Sequence, residues 1–387
     1  MDNLPEEIGL HILSFLTPKE VVSSAVVSQR WRQLSADNHG HDLDWRGQFQ
    51  QSRQTEANWE SGTFRHSAFH PYGFTAYKKT VGGMLFQSDE DRLVAGHFNT
   101  GDVVVFENPT EACPRPKQLH LLEYEDRYQP LPFPQPQPHF ACGHTDGVVN
   151  VWNLAGGEHV VALIRSFEWV ESLQFNRAAK QLAVGYSTGK IGLWDIEQAS
   201  VVGLLKGHKA NVMCMQLSPD GRVAFTGSLD SSIRIWYTRK GGDMRTAATV
   251  SCIKGERVVK CLSVDFDSHR LVHNRGDQGL SLLDIRMTLS SAGPEGGDTL
   301  VHAPPVVTSW KAHSGAVLRV QMQGDRIVTG ARDKTAKVWD LRSPAEPRAV
   351  LTLPHEDWVT SLQFDEETLR CAWGADISTY FFRSAEA

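Results

Sequence analysis

A turn residue followed six positions later by a bulky apolar one recurs along most of this chain, and that repeat limits the available folds more than any other feature. Aspartate opens the pair at Asp146 with Trp152, Asp230 with Trp236, Asp277 with Leu283, Asp333 with Trp339 and Asp376 with Phe382; threonine opens it at Thr100 with Phe106 and Thr188 with Trp194. The bulky members of these seven pairs stand 42 to 56 positions apart. A helical repeat of about 33 or 34 residues is too short for that spacing, whereas a unit of four short strands fits it. From residue 72 onward the intervening segments are β-branched and aromatic runs separated by Gly, Asp, Asn and Ser turns, which is the pattern of strands. The fixed offset has a physical cause. A tight turn followed by an alternating strand puts the sixth residue on the face that packs between neighbouring sheets, where aspartate, histidine and aromatic can partly satisfy one another.

Composition narrows the class of molecule. At 387 residues the chain is too long for one ordinary core of roughly 100 to 200 residues, leaving two or three domains or one large array. With 41% hydrophobic and 22% charged residues it can bury a sizeable core. A net charge of -6 argues against a coat for nucleic acid or an anionic membrane, both of which reward a basic excess. The six cysteines form no C-x-x-C pair and lie mostly in apolar runs, so buried thiols in a reducing compartment, cytoplasmic or nuclear, are expected. No basic region precedes an apolar stretch at the N-terminus, and no run approaches 18 apolar residues, so neither a secreted nor a membrane-spanning chain is expected.

The clearest unit runs from Gly207-His208 through Val212, Met215 and Leu217, the turn Ser218-Pro219-Asp220-Gly221, then Phe225-Thr226-Gly227-Ser228 and Asp230 to Ile233, Ile235 and Trp236. It resembles a WD repeat. Seven such units imply a seven-bladed propeller, although only the blade ending at Trp236 carries histidine, serine, aspartate and tryptophan together. His208, His313 and His355 each stand four residues before an inner-strand valine, Val212, Val317 and Val359, and read as structural histidines. Tyr128, Leu131 and Phe133 repeat the register of Val212, Met215 and Leu217, so the proline-rich Gln129 to Pro138 reads as an innermost strand facing the channel, where proline is tolerable. Residues 289 to 299 read as a loop. Five residues after Phe382 leave no room for a last outer strand, and Thr63 to Phe69 is the candidate to supply it.

The first fifty residues follow another rule. Ile8, Ile12, Leu13 and Leu16 fall at helical spacing after Pro5; Thr17, Pro18 and Glu20 signal a second helix; Val27, Trp31 and Leu34 give a third. So small a bundle needs another surface to bury its apolar face. The strings Leu4-Pro5-Glu6-Glu7-Ile8, Ile12-Leu13-Ser14-Phe15-Leu16 and Val27-Ser28-Gln29-Arg30-Trp31-Arg32 closely resemble the F-box, and Asn58-Trp59 with Gly62 and Phe64 resembles the junction of F-box/WD-repeat proteins. The expected fold is therefore an all-β seven-bladed WD-repeat propeller preceded by a three-helix F-box module. Its parts are the F-box at 1–50, a linker at 51–62, and a propeller at 63–387 whose N-terminal strand closes the last blade.

That resemblance implies a function: the substrate-recognition subunit of a cullin-RING ubiquitin ligase, non-catalytic itself. The F-box would bind the Skp-family adaptor, and through it cullin, by Leu4, Pro5, Ile8, Ile12, Leu16, Val27 and Trp31. The alternative is a WD-repeat interaction scaffold that directs no ubiquitin transfer. No phosphate loop, nucleophile elbow, His-Glu-x-x-His or paired-cysteine zinc frame is present, so no enzyme, cofactor or metal is indicated. The histidines His39, His41, His66 and His70 lack a matching carboxylate or cysteine set and read as loop residues. Register places Trp169, Asn211, Lys260 and Trp358, which precede inner strands, and Ser187, Leu229, Arg275 and Arg332, beside tight turns, around the channel mouth, with Arg319 slightly deeper. Lys260, Arg275, Arg319 and Arg332 would form a basic arc with Trp169 and Trp358 as aromatic anchors, suited to a phosphorylated or acidic degron of a target protein.

Overall fold

The computed structural model describes residues 54–69, 84–88, 92–97, 103–107, 118–122, 139–143, 147–153, 158–163, 168–176, 181–196, 198–237, 248–254, 257–286, 304–343 and 347–382. The expected F-box helices, the proline-rich strand at 129–138 and the loop at 289–299 lie outside them. The chain divides into two units: Met1–Arg65 with Glu366–Thr368 and Phe381–Ala387, and His66–Asp365 with Leu369–Tyr380.

In the first unit, residues 54–61, within the expected linker, are helical. Gly62, at φ 68°, takes the left-handed conformation that ends the helix, and the Thr63 N–H reaches back to the Asn58 carbonyl (2.9 Å) in a Schellman closure. Helix burial follows from two side chains. Trp59 is 1% exposed, stacks on Phe382 with ring centroids 3.6 Å apart and donates from Nε1 to the Glu366 carbonyl (2.8 Å). Asn58 donates from Nδ2 to the Phe382 carbonyl (2.6 Å), and Phe64 leans on the same phenyl ring at 5.7 Å. The helix is thereby fastened to a segment more than 300 residues away in sequence.

The second unit is built of short strands. Its first sheet orders Met84–Ser88, Arg92–His97, Val103–Glu107 and Gln118–Leu122; its second, three-stranded among the described residues, orders His139–Gly143, Val149–Asn153 and Glu158–Leu163. The third comprises Val170–Asn176, Gln181–Tyr186, Ile191–Asp195 and Ser200–Leu205, and the fourth Val212–Leu217, Val223–Ser228, Ser232–Tyr237 and Ala248–Lys254. The fifth has Leu262–Asp265, Arg270–Arg275, Gly279–Asp284 and Val306–Lys311, and the sixth Val317–Gln323, Arg326–Ala331, Thr335–Asp340 and Arg348–Pro354. The seventh runs Val359–Phe364, Thr368–Trp373, Asp376–Phe381 and then Arg65–Phe69, a strand drawn from the start of the chain.

Successive sheets pack through their first strands. Val170–Asn176 lies on Val212–Leu217, which lies on Leu262–Asp265, then Val317–Gln323, then Val359–Phe364, and Val359–Phe364 lies against Met84–Ser88 of the first sheet. Glycine makes the close approach possible. A Cβ on Gly227 would stand 2.5 Å from Val259 Cγ1, one on Gly330 would stand 2.6 Å from Val359 Cγ1, and Gly143 and Gly185 meet Val170 and Val212 in the same way. The core clusters accordingly alternate sheet by sheet; one joins Val223, Phe225, Ile233 and Ile235 of the fourth sheet to Val264, Leu271 and Leu283 of the fifth.

The last repeat departs from its expected register. Phe382 N–H bonds to the Glu367 carbonyl as Leu341 N–H bonds to Asp325 and Ile285 N–H to His269. Leu341 and Ile285 lie two residues beyond Trp339 and Leu283, so Tyr380, not Phe382, holds the bulky position. The cause is a shorter turn: only Gly374 and Ala375 separate the strands Thr368–Trp373 and Asp376–Phe381, and Asp376 begins a strand instead of opening a turn.

Candidate functional site

The turn-bearing edge of the sheets is organised by a relay that the sequence signals in part. In the fourth sheet, Trp236 Nε1 donates to Thr226 Oγ1 (2.9 Å), Thr226 Oγ1 meets His208 Nε2 (2.8 Å), and His208 Nδ1 meets Asp230 Oδ2 (3.0 Å). The sixth sheet repeats it: Trp339 to Thr329 (3.0 Å), Thr329 to His313 Nε2 (2.7 Å), and His313 Nδ1 to Asp333 Oδ2 (2.9 Å). The hydroxyl accepts from the indole and also reaches a backbone carbonyl, that of Arg234 (3.5 Å) in the fourth sheet and of Lys337 (3.4 Å) in the sixth, so each imidazole is held between a hydroxyl at Nε2 and a carboxylate at Nδ1. Burial pushes the pKa values of both imidazoles down, against the raising influence of Asp230 and Asp333.

Each aspartate also closes its own turn. Burial raises the Asp230 pKa, but hydrogen bonds from Ser232, the Lys209 N–H and His208 outweigh it and hold the carboxyl at about 2. Asp333 is likewise held at about 2, burial being overcome by Thr335, the Ser314 N–H and His313. Because these folded-state values lie below the ordinary value of 3.8, the stabilisation is complete above about pH 4 and is lost as pH falls toward 2. Replacing Asp333 by Asn is therefore expected to cost about 1–2 kcal/mol at pH 7, and to cost progressively less as pH falls below 4. Urea unfolding across that range measures it.

Other sheets solve the same problem with different groups. In the third, Glu168 accepts from Thr188 Oγ1 (2.7 Å) and Lys190 Nζ (2.5 Å), while Trp194 Nε1 donates to the Tyr186 hydroxyl (3.3 Å). In the fifth, Asn274 Oδ1 accepts from the Lys260 (2.7 Å) and Cys261 (3.1 Å) N–H groups, and Nδ2 donates to the Val258 and Gly276 carbonyls (3.0 and 2.9 Å).

These turns carry the residues expected at a channel mouth. Trp169 is 57% exposed, and its carbonyl accepts from the Ser187 N–H. Trp358 is 36% exposed and lies under the Arg332 guanidinium, whose carbon sits 4.5 Å from the ring centroid. The Arg332 backbone is pinned by its N–H to Ala316, as Leu229 is to Asn211. Arg275 is exposed at the end of its strand.

The other three expected residues each have a close hydrogen-bonding neighbour. Asn211 is committed to Glu171, donating from Nδ2 to Oε1 (2.6 Å); that buried carboxyl has its pKa raised by desolvation. Lys260 bonds to Asp277 (3.1 Å), which offsets the basic character of the arc; the valine seated on Gly227 is Val259, so Lys260 follows the packed residue instead of preceding it. Arg319 lies deep, with Cys214 and Cys261 beside it. Its Nη1 donates to the Leu318 carbonyl (3.2 Å), its Nε has no hydrogen-bond partner, and desolvation lowers its pKa. The sequence marks Asp277 as a turn residue but not as the partner of Lys260, and Glu171, within the strand Val170–Asn176, carries no motif that points to Asn211. The adaptor-facing candidates Leu4, Pro5, Ile8, Ile12, Leu16, Val27 and Trp31 lie outside the described residues. Among the described residues no group of three or more His, Cys, Asp or Glu side chains could hold a metal, and no helix is long and apolar enough to cross a membrane.

Repeated four-stranded sheets with a tryptophan–threonine–histidine–aspartate relay define a WD-repeat β-propeller. Comparison agrees: the WD domain, G-beta repeat family matches residues 199–237 and 304–340, and the F-box-like family matches residues 1–39. The chain thus combines an F-box-like segment with WD repeats, the pairing found in F-box/WD-repeat proteins. Mitochondrial division protein 1 of Mycosarcoma maydis is 30% identical over 176 residues, covering 45% of this chain and 21% of that protein. Nuclear distribution protein nudF of Aspergillus niger is 28% identical over 258 residues, covering 60% and 55%. The chain therefore spans about a fifth to about half of the length of these relatives. The designed Ika8 protein shares the fold, with a TM-score of 0.57 and 17% identity over 79% of this chain and 98% of that one.

Proposed function

We propose that this protein is the substrate-recognition subunit of a cullin-RING ubiquitin ligase, with an F-box module at 1–50, a connecting segment at 51–62 and a seven-bladed propeller at 63–387. The observation that carries the reading is the pairing of an F-box-like match at 1–39 with WD repeats on one chain. The F-box binds the Skp-family adaptor, and through it cullin, by Leu4, Pro5, Ile8, Ile12, Leu16, Val27 and Trp31. The turn-bearing rim binds the target protein. Trp169, Arg275, Arg332 and Trp358 face outward there, with Asn211 and Lys260 held by acidic neighbours and Arg319 below them. The stacked Arg332 and the deep Arg319 favour a phosphorylated or acidic degron, since a guanidinium whose plane is fixed can meet an oxyanion with two parallel bonds. The protein's own part is to raise the effective concentration of substrate lysines near the conjugating enzyme, with no reacting group of its own. Buried thiols at Cys261 and Cys371 suit a cytoplasmic or nuclear setting.

A second reading, a scaffold that directs no ubiquitin transfer, draws support from relatives whose names refer to nuclear distribution and mitochondrial division. Co-purification separates them. The receptor retains both adaptor and cullin, and alanine at Leu4, Pro5 and Trp31 lowers their recovery by at least tenfold while the propeller still holds its target. Unchanged recovery in that variant sinks the receptor reading.

A further inference from the structure

The seventh sheet joins the first-described strand of the chain to the last, and it contains a histidine without the partners that its counterparts possess. His355 stands four residues before Val359, as His208 does before Val212 and His313 before Val317. Thr226 pairs with Met215 and Thr329 with Val320; the residue that pairs with Leu362 at that register is Cys371. The turn aspartate is also absent, because the turn here is Gly374 and Ala375. Both hydrogen-bonding groups that secure His208 and His313 are thus replaced, and His355 Nε2 is buried without a hydrogen-bond partner.

The groups that face this imidazole offer it no negative charge. Its rings of contact are Trp373 (5.8 Å) and Tyr380 (6.1 Å, edge-on). The Trp373 indole is committed to Ser378 Oγ (2.8 Å). The Cys371 thiol and the Tyr380 hydroxyl are both pushed up by burial and stay neutral. Lys334 accepts the His355 N–H at its carbonyl (2.8 Å) and sends its ammonium to the Glu356 carbonyl (3.0 Å). Asp357 accepts from the Trp358 N–H (2.8 Å) and turns its other oxygen toward Gly374. From the closing strand comes a second base, His66, stacked on Tyr380 at 4.6 Å.

We infer that the seventh sheet is an acid-sensitive seam, in which protonation of His355 and His66 loosens the pairing of the Arg65–Phe69 strand while the relays of the fourth and sixth sheets keep those sheets closed. An imidazolium at His355 is a half-buried cation whose enclosed Nε2 has no hydrogen-bonding carboxylate, and a charged His66 repels it across Tyr380. Burial, reinforced by His66, lowers the His355 pKa from 6.5 to about 4, and burial lowers that of His66. A folded-state value below the unfolded one means that the stabilisation is complete above about pH 6.5 and drains away as pH falls toward 4.

Hydrogen exchange on the full chain tests this. Between pH 7.5 and 5, after correction for intrinsic rates, the amides of 66–69 and 376–380 should exchange about 30-fold faster, while those of 223–228 and 326–331 change several-fold less. His355→Phe keeps a buried ring and removes the titrating group, so the increase should shrink to a few-fold. Cys371→Thr restores a partner for Nε2 and should reduce it as well, which serves if the phenylalanine variant folds poorly. Uniform acceleration across the fourth, sixth and seventh sheets overturns the inference, as does an unchanged 30-fold response in either variant.

Discussion

Trp59→Ala is expected to cost the protein about 3–5 kcal/mol, the range seen when a fully buried aromatic is cut to a methyl and the cavity only partly collapses. Three terms act together. The indole is 1% exposed, so almost all of its apolar area returns to water on unfolding. Its face is stacked on Phe382, whose ring in turn carries Phe64, and truncation leaves both without a contact surface. Its N–H satisfies the Glu366 carbonyl, which would be orphaned. Against a total stability of roughly 5–15 kcal/mol this is a large fraction. Trp59→Phe keeps the stack and loses the hydrogen bond, and is expected to cost about 1–2 kcal/mol. Trp59→Ala with Phe382→Ala should cost less than the sum of the single changes, because each removes the same stacked pair. Denaturant unfolding of the three variants checks the ordering. Equal stability of Trp59→Ala and the wild type would show that the helix at 54–61 is an appendage.

Replacing Arg319 and Arg332 together by alanine is expected to weaken target capture at least tenfold while adaptor recovery stays unchanged. Arg332 is exposed yet immobilised: its backbone is bonded to Ala316, and its guanidinium lies on Trp358 at 4.5 Å. Ordering a long side chain ahead of binding removes an entropic cost that a free arginine would meet on contact. Arg319 is desolvated, and Nε has no partner among the described residues, so an oxyanion reaching it would find a cation weakly hydrated and incompletely bonded. Lys260 should matter less, since Asp277 already holds it. Binding titrations with phosphorylated and unphosphorylated forms of the captured peptide give the decisive comparison; equal affinity for both forms in wild type and variant would remove the degron reading.

How much of this was legible beforehand follows residue by residue. The two stretches that match the WD family, 199–237 and 304–340, end in the fourth and sixth sheets, where histidine, threonine, aspartate and tryptophan are all present. There the chemistry of the relay fixes residue types, and a reader of the sequence can see them. In the seventh sheet Gly374, Cys371 and Tyr380 stand at the corresponding places, and nothing in the one-letter string marks them as substitutes; a turn shortened before Asp376 then puts a six-residue count on Phe382. Thr226 and Thr329 were part of visible strands, but their position between two rings depends on strand pairing. The rim shows the same limit. Exposure of Trp169 and Trp358 follows from register, whereas the pairing of Asn211 with Glu171 or Lys260 with Asp277 depends on where neighbouring loops meet.

The most direct test of the central claim is ubiquitin transfer reconstituted with purified Skp-family adaptor, cullin, RING subunit, conjugating enzyme and the target retained by this protein. The account predicts that the target acquires ubiquitin only when the chain is present with an intact F-box and an intact rim, and that either the Leu4, Pro5 and Trp31 variant or the Arg319 and Arg332 variant abolishes the product. Adaptor and target held together on one chain with no ubiquitin transferred would contradict it and leave a scaffold.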